Sequence, residues 1–248
     1  KNNGILPLRT DKANASRYVI MGPNANDSIM QWANYNGYPT ATTTMLRGIR
    51  GKAGDGIRYI QGCGHTRNEV LESRYADITT PDGTKGMKAT YWNNAGMKGE
   101  AAVNQIIAQP IDLSNGGATV FAPGISLENI SARYEGIYTP SRTEDVTLQV
   151  AFDDGARLII DGDTVADVWK SRARIQYINK DLHVEKGKPH HITIEYFQTT
   201  DLAVMQFDIV HKTTPTEQQL LAQVGDAETV IFVGGISARL EGEEMKVN

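Results

Sequence analysis

The sequence predicts a doubly wound α/β domain interrupted by an all-β sandwich or barrel, and three stretches of it carry that reading. Residues 17–76 alternate short apolar runs with helical patterns. Residues 86–211 alternate apolar and polar positions between turn signals, as strands with one buried face do. After His211 the helix-then-strand pattern resumes.

The first strand is the run from Arg17 to Met21, closed by Gly22. Thr42, Thr43 and Thr44 offer a cap to a helix with Met45, Leu46 and Ile49 on one face, ending near Gly51 and Gly54. Ile57 to Ile60 reads as a second strand and Asn68 to Tyr75 as a second helix. In the β region Val146, Leu148, Val150 and Phe152 share a face, with Thr147 and Gln149 opposite. Ile192, Ile194 and Tyr196 repeat that period, as do Ala203, Met205, Phe207 and Ile209. Turns are expected at Asp153-Asp-Gly155, Asp161-Gly162 and Lys186-Gly-Lys-Pro189. Thr214-Pro-Thr-Glu217 reads as a capping box, with Pro at the first helical position, opening a helix that carries Leu220, Leu221 and Val224. That helix feeds a strand from Val230 to Val233. The expected organisation is therefore residues 1–82 as the first part of an α/β domain, 83–212 as an inserted β domain, and 213–248 as the continuation of the first. Insertions survive where their ends lie close together on a surface.

Composition excludes several classes of partner. The 248 residues are 40% hydrophobic and 22% charged with a formal net charge of -4, enough for real cores and without the basic clusters of a nucleic-acid binder. No apolar run approaches the ~18 residues of a membrane span. The single cysteine, Cys63, permits no disulfide within the chain, and Cys63 with His65 lacks zinc-ligand spacing. Gly22-Pro-Asn-Ala-Asn26 lacks the further glycines of a dinucleotide fingerprint, and no Gly-Lys-Ser/Thr phosphate loop is present. No cofactor is expected. Trp92 and Trp169 adjoin strand patterns and read as sandwich core, while His190-His191 opens a strand and faces solvent in part.

The strand at Val230 runs into a loop carrying Glu241, Glu243 and Glu244. Ligands of open α/β sheets sit at the carboxyl ends of strands, where clustered carboxylates suit acid/base chemistry. The competing reading is a solvated acidic loop.

Five further segments, in order, are Lys1-Asn-Asn-Gly-Ile-Leu-Pro-Leu8, Tyr18-Val-Ile-Met-Gly-Pro-Asn-Ala-Asn26, Asn34-Tyr-Asn-Gly-Tyr-Pro-Thr40, Thr43-Thr-Met-Leu-Arg-Gly-Ile49 and Tyr59-Ile-Gln-Gly-Cys63. With the glutamate loop they resemble the second domain of glycoside hydrolase family 3, the β-glucosidase and β-xylosidase family. The β region resembles the PA-fourteen domain, named from anthrax protective antigen. It does so through Gly86-Met-Lys-Ala-Thr-Tyr-Trp92, Ala132-Arg-Tyr-Glu-Gly-Ile-Tyr138, and Phe152-Asp-Asp-Gly-Ala-Arg-Leu-Ile-Ile-Asp-Gly162 followed by Trp169. Such an insertion is an arrangement found in family 3.

The resemblance implies a retaining exo-β-glycosidase, which needs two carboxyl groups roughly 5 Å apart. It places the nucleophilic Asp on an N-terminal (β/α)₈ barrel that precedes these residues, so both ends of the sequence read as cuts in a longer protein and the chain alone is expected to be inactive. The acid/base falls to Glu241 first and Glu243 second, with Glu244 structural or tuning its neighbours. Trp32, Tyr35 and Tyr38 can stack on a sugar ring, although core packing is the commoner use of such residues. In PA-fourteen adhesins an Asp pair helps hold calcium, which makes Asp153 and Asp154 weak calcium candidates. The turn reading, with Gly155 at positive φ, is preferred because Ca²⁺ takes about six or more oxygens. The implied partners are a terminal β-linked oligosaccharide or β-glycoside and the barrel of the same chain, with no nucleic acid and no membrane. The implied location is periplasmic or extracellular. The rival reading is a non-catalytic carbohydrate-binding module on an α/β scaffold, and a third has the insertion capping the barrel's pocket.

Overall fold

The computed structural model describes residues 4–9, 12–27, 29–31, 42–172, 174–236 and 240. The chain is mostly strand with few helices. In order the elements are β1 (Tyr18–Met21), α1 (Met45–Ala53), β2 (Arg58–Ile60), β3 (Val70–Ser73), β4 (Ile78–Thr79), β5 (Met87–Trp92), β6 (Val103–Ile107) and β7 (Ile111–Ser114). There follow β8 (Ile130–Tyr138), β9 (Glu144–Asp153), β10 (Gly155–Ile160), β11 (Asp163–Val168), β12 (Gln176–Val184), β13 (His190–Gln198), β14 (Val204–Thr213), α2 (Glu217–Val224) and β15 (Thr229–Phe232). They divide into two compact units, Lys1–Val70 with Thr213–Asn248, and Leu71–Lys212.

The first unit is built on a three-stranded parallel sheet in the order β15-β1-β2. Tyr18 pairs with Thr229 and Met21 with Phe232, so strands some 210 positions apart run side by side. Ile20 is fully buried and packs with Ala15, Ala25, Leu46, Ala53 and Ile57. In α1 the Thr44 hydroxyl accepts from the Arg47 amide and caps the helix, which ends at Gly54 with φ 93°. Leu46 is buried and Ile49 half-buried, but Met45 is 49% exposed, since a neighbour one residue away lies about 100° around the helix. The capping box of α2 closes two residues later than the sequence suggests. Thr216 is the cap and Gln219 the reciprocal partner, leaving Pro215 ahead of the helix. Arg58 of β2 donates to the Val224 carbonyl and so covers the free end of α2.

The second unit is a sandwich. One sheet has the order β11-β10-β13-β8-β5-β6 with β4 added to β8, and the other has β12-β9-β14-β3 with β7 added to β14. Val146, Leu148, Val150, Phe152, Ile192, Ile194, Tyr196, Ala203, Met205, Phe207 and Ile209 all enter its core, as their alternation requires. Asp161 and Gly162, at φ 53° and 91°, form the two-residue turn between β10 and β11.

The helix expected over Asn68 to Tyr75 is instead the strand β3, hydrogen-bonded to β14, followed by a short 3₁₀ turn. Tertiary pairing overrides the local pattern here, because the Tyr75 ring, 2% exposed, enters the sandwich core and its hydroxyl bonds the Ile107 carbonyl. Trp92 is buried, as expected, with its Nε1 on the Gly99 carbonyl. Trp169 is not core: it is half-buried between the Phe197 ring, centroids 4.7 Å apart, and the Arg157 guanidinium 4.3 Å above it. His190 and His191 divide as alternation demands, the first buried and the second exposed. Asp161 accepts from the His191 amide and meets His190 Nδ1; burial pushes its carboxyl up, but these bonds outweigh it and hold the group below its ordinary value.

Where the chain turns out of β3, Arg74 forks onto both oxygens of Glu144 at 2.5 and 3.0 Å and also reaches Glu72. The Arg74 and Glu144 side chains are only 12% and 10% exposed. Arg74→Ala should therefore cost about 3–5 kcal/mol in urea unfolding of the sandwich by stranding the Glu144 charge, and Arg74→Lys should recover only part of it because a lysine cannot fork.

Candidate functional site

Polar side chains gather at two places, and the first is the carboxyl-terminal end of the parallel sheet. Here the loops after β1, β2 and β15 converge. Gly22, at φ 116°, lets the chain pass the end of β15, since a Cβ there would lie 2.4 Å from the Val233 carbonyl oxygen. The Oδ1 of buried Asn24 accepts from His65 Nε2 at 2.5 Å, and its Nδ2 donates to the Gly235 carbonyl at 3.1 Å. One asparagine thus ties the loop after β1 to the loop after β2 and to the segment that leads towards the glutamates. The same loop is pinned by Thr44 to Asn26 and by Gln31 to the Thr43 carbonyl, on either side of the aromatic stretch. Glu241, Glu243 and Glu244, and likewise Trp32, Tyr35 and Tyr38, lie outside the described residues. The sequence reading missed Asn24 and passed over His65. The available signal was position: both fall just after a strand, where loops of an α/β sheet carry polar contacts.

The second place is the corner at Asp153-Asp154. It is not a hairpin turn, because β9 and β10 belong to different sheets and these two residues carry the chain across the sandwich. Nor is Gly155 at positive φ. It is required for closeness, since a Cβ there would lie 2.3 Å from the Phe197 ring. Asp153 and Asp154 are both buried and joined by a cis peptide. The Asp154 carboxylate takes three protein donors: the Ser171 hydroxyl on one oxygen, and the Thr199 amide and hydroxyl on the other. The Tyr196 hydroxyl bonds the Asp153 carbonyl. Burial first, and then the charges of Asp154 and Asp201, push the Asp153 carboxyl up to about 6. Gln198, next to the Thr199 that bonds Asp154, has its Oε1 buried without a hydrogen-bond partner among the described residues. Among the described residues no group of three or more His, Cys, Asp or Glu is placed to hold a metal ion. Hydrogen bonding by itself accounts for how Asp154 is held.

The chain belongs to the PA14 domain family, which matches residues 83–211. Over 251 aligned residues it is 37% identical to a xylan 1,4-beta-xylosidase of Xylanibacter ruminicola, covering 99% of this chain and 28% of that protein. It is also 31% identical over 121 residues to the anti-sigma-I factor RsgI3 of Acetivibrio thermocellus, covering 48% of this chain and 18% of that one. Among solved structures, the beta-glucosidase of Kluyveromyces marxianus in complex with glucose has a similar fold, with TM-score 0.55 and 15% identity over 98% of this chain and 30% of that one. The chain thus spans less than a third of the length of the curated relatives it matches. Both resemblances read from the sequence, to PA-fourteen domains and to family 3 glycosidases, meet their counterparts here. Among the described residues no helix is long and apolar enough to cross a membrane.

Asn24→Ala should lower the unfolding free energy of the α/β unit by about 1–3 kcal/mol, as His65 and the Gly235 carbonyl lose their buried partner, a loss that urea titration measures. For Asp153 the raised value sets the sign. The folded form holds its proton more tightly than the unfolded chain, so stability is lost as pH climbs from the ordinary aspartate range through about 6. Asp153→Asn should therefore raise the melting temperature of the sandwich by a few degrees at pH 7.5 and leave it nearly unchanged at pH 4, with added Ca²⁺ shifting neither protein. A calcium-dependent rise that the variant loses would instead assign the pair to a cation.

Proposed function

We propose that this chain is the second domain, with its inserted PA14 sandwich, of a retaining exo-acting β-glycosidase that removes terminal β-linked sugars. The observation that carries this reading is the 37% identity, across 99% of the chain, to a protein described as a xylan 1,4-beta-xylosidase. The fold shared with a beta-glucosidase supports it. In this reading residues 1–82 and 213–248 form one doubly wound α/β domain around the insertion at 83–212. The parallel pairing of β15 with β1 supports that assignment, and so do the surfaces left bare. Val230 is 44% exposed, Phe232 60% and Leu221 62%, and α2 buries no residue. Parallel sheets are covered on both faces, so a further strand and helix of the same polypeptide would complete this one.

The nucleophilic carboxylate comes from a (β/α)₈ barrel of the same polypeptide. Glu241 acts as the acid/base, with Glu243 as the second candidate, and Trp32, Tyr35 and Tyr38 contact the sugar. The inserted sandwich shapes the substrate pocket or binds carbohydrate itself, and the protein works in the periplasm or outside the cell. A second reading, a non-catalytic carbohydrate-binding module on an α/β scaffold, is favoured by one observation: the protein that is 31% identical over 121 residues, about half of this chain, is described as an anti-sigma-I factor and not as a glycosidase. Hydrolysis by the longer protein decides between the two.

In that longer protein Glu241→Ala should depress turnover of natural substrates by about 10² to 10⁴. Activated aryl glycosides, whose leaving group needs little protonation, should suffer less, and azide should speed release of the glycosyl-enzyme. Unchanged turnover in Glu241→Ala, with azide rescue in Glu243→Ala, would move the acid/base to Glu243. The 248 residues alone should show no turnover, because the reaction needs both carboxyl groups.

A further inference from the structure

We propose that Asn24 is a positioning residue for the glycosidase reaction: it fixes the line along which the chain leaves β15 on its way to the acid/base glutamate. This deepens the reading that Glu241 is that acid/base, and rests on it.

The parallel ladder between β1 and β15 ends where the Val233 amide donates to the Met21 carbonyl at 2.7 Å. Asn24 carries the tie beyond it. Its own amide donates to the Val233 carbonyl at 3.2 Å, and its Nδ2 donates to the Gly235 carbonyl at 3.1 Å. Gly235 stands at φ 123°, where glycine is favoured, and a Cβ there would lie 3.4 Å from Asn24 Nδ2. Glu241 follows a short way on in the sequence. The residue that makes these bonds is itself held. The Ala25 amide donates to the Gly22 carbonyl at 3.2 Å, closing a turn with Pro23 at its second position, and the Gly22 amide donates to the Gln61 carbonyl at 3.1 Å. Asn24 therefore sits in a tight turn fastened to the end of β2.

The side chain has to be an amide. The Gly235 carbonyl accepts and cannot donate, so it faces Nδ2, which leaves Oδ1 towards His65. His65 Nε2 then carries a hydrogen, and it does so whether the ring is neutral or charged, so the arrangement outlasts titration of His65. An aspartate here would keep the His65 bond but set a carboxylate oxygen against the Gly235 carbonyl. Burial of Asn24, at 2% exposure, strengthens both bonds by excluding water. A general acid must lie within hydrogen-bond reach of the leaving oxygen, and a misplacement of about 1 Å can cost on the order of 10²-fold. Loss of the Gly235 bond should therefore act on proton donation rather than on sugar binding.

In the longer protein, kcat/KM for xylobiose or cellobiose compared with that for the matching dinitrophenyl glycoside tests this, since kcat/KM reports the step in which the leaving group departs. Asn24→Asp, which keeps the His65 bond and loses the Gly235 bond, should lower kcat/KM for the disaccharide by about 10- to 100-fold. The dinitrophenyl glycoside, whose leaving group needs little protonation, should lose far less. A merely structural asparagine would lower both by one factor, as the folded fraction falls. Equal loss on the two substrates, or no loss on either, overturns the proposal. A second arm needs no turnover. Tryptic cleavage of the 248-residue chain after Arg239 should be several-fold faster in Asn24→Asp than in the wild type, while cleavage after Arg58 in β2 keeps its rate. Faster cleavage at both sites, or at neither, also overturns the proposal. Should Asn24→Asp fail to fold, Asn24→Ala reads the same lost bond in both arms. The glycosidase reading fails separately, through absence of hydrolysis or through Glu241→Ala and Glu243→Ala that leave turnover unchanged, and the cleavage arm then still decides whether Asn24 holds this segment.

Discussion

A chain that leaves one domain near residue 70 and rejoins it near residue 213 must bring its two crossing points together. The pairing of β3 with β14 does this within a single sheet. The Arg74 amide, one residue beyond β3, bonds the Ile209 carbonyl at 2.7 Å, and the Arg74 side chain is clamped by Glu144 on β9. The two ends of the sandwich are thereby held side by side. The strand that follows, β15, can then join β1 in parallel as if nothing had intervened.

Electrostatics inside the sandwich runs in two directions. Glu144 and Asp161 are held below their ordinary values, Glu144 chiefly by the hydrogen bond from Arg74, and each contributes stability that is lost as pH falls. Asp153 and Asp208 are pushed up to about 6, in both cases chiefly by burial, and oppose that trend. The first pair serves to join segments. The second pair sits at an inter-sheet corner and on β14, and because burial raises both carboxyls their contribution to stability falls as pH rises through about 6.

How far the sequence could be read depended on how local each signal was. Strand alternation in β9, β13 and β14 names the core residues correctly because side-chain direction follows from position alone. The α1 cap was legible within one residue for the same reason. At Asn68 to Tyr75 the local pattern is helical, yet Val70–Ser73 is a strand, because β14 supplies its hydrogen bonds from about 135 positions away. Asp153-Asp-Gly155 has the composition of a turn, but composition cannot tell a hairpin from a crossing between sheets, and the need for Gly155 comes from Phe197, a neighbour in space. The position of Asn24 just after a strand is a local signal, but its partners His65 and Gly235 come from two other loops and only the fold names them.

The sequence by itself determined the alternation of α/β and β regions, the periodic faces, and the motifs that carry the two family resemblances, because each depends on residues within a turn or a strand of one another. Only the tertiary structure decided that β15 runs beside β1, that the sandwich closes through β3 and β14, that Asn24 ties three loops together, and that Asp153 and Asp154 carry the chain from one sheet to the other. These depend on register between strands far apart in the chain, and register is set by which buried faces fit together, a quantity no single segment contains.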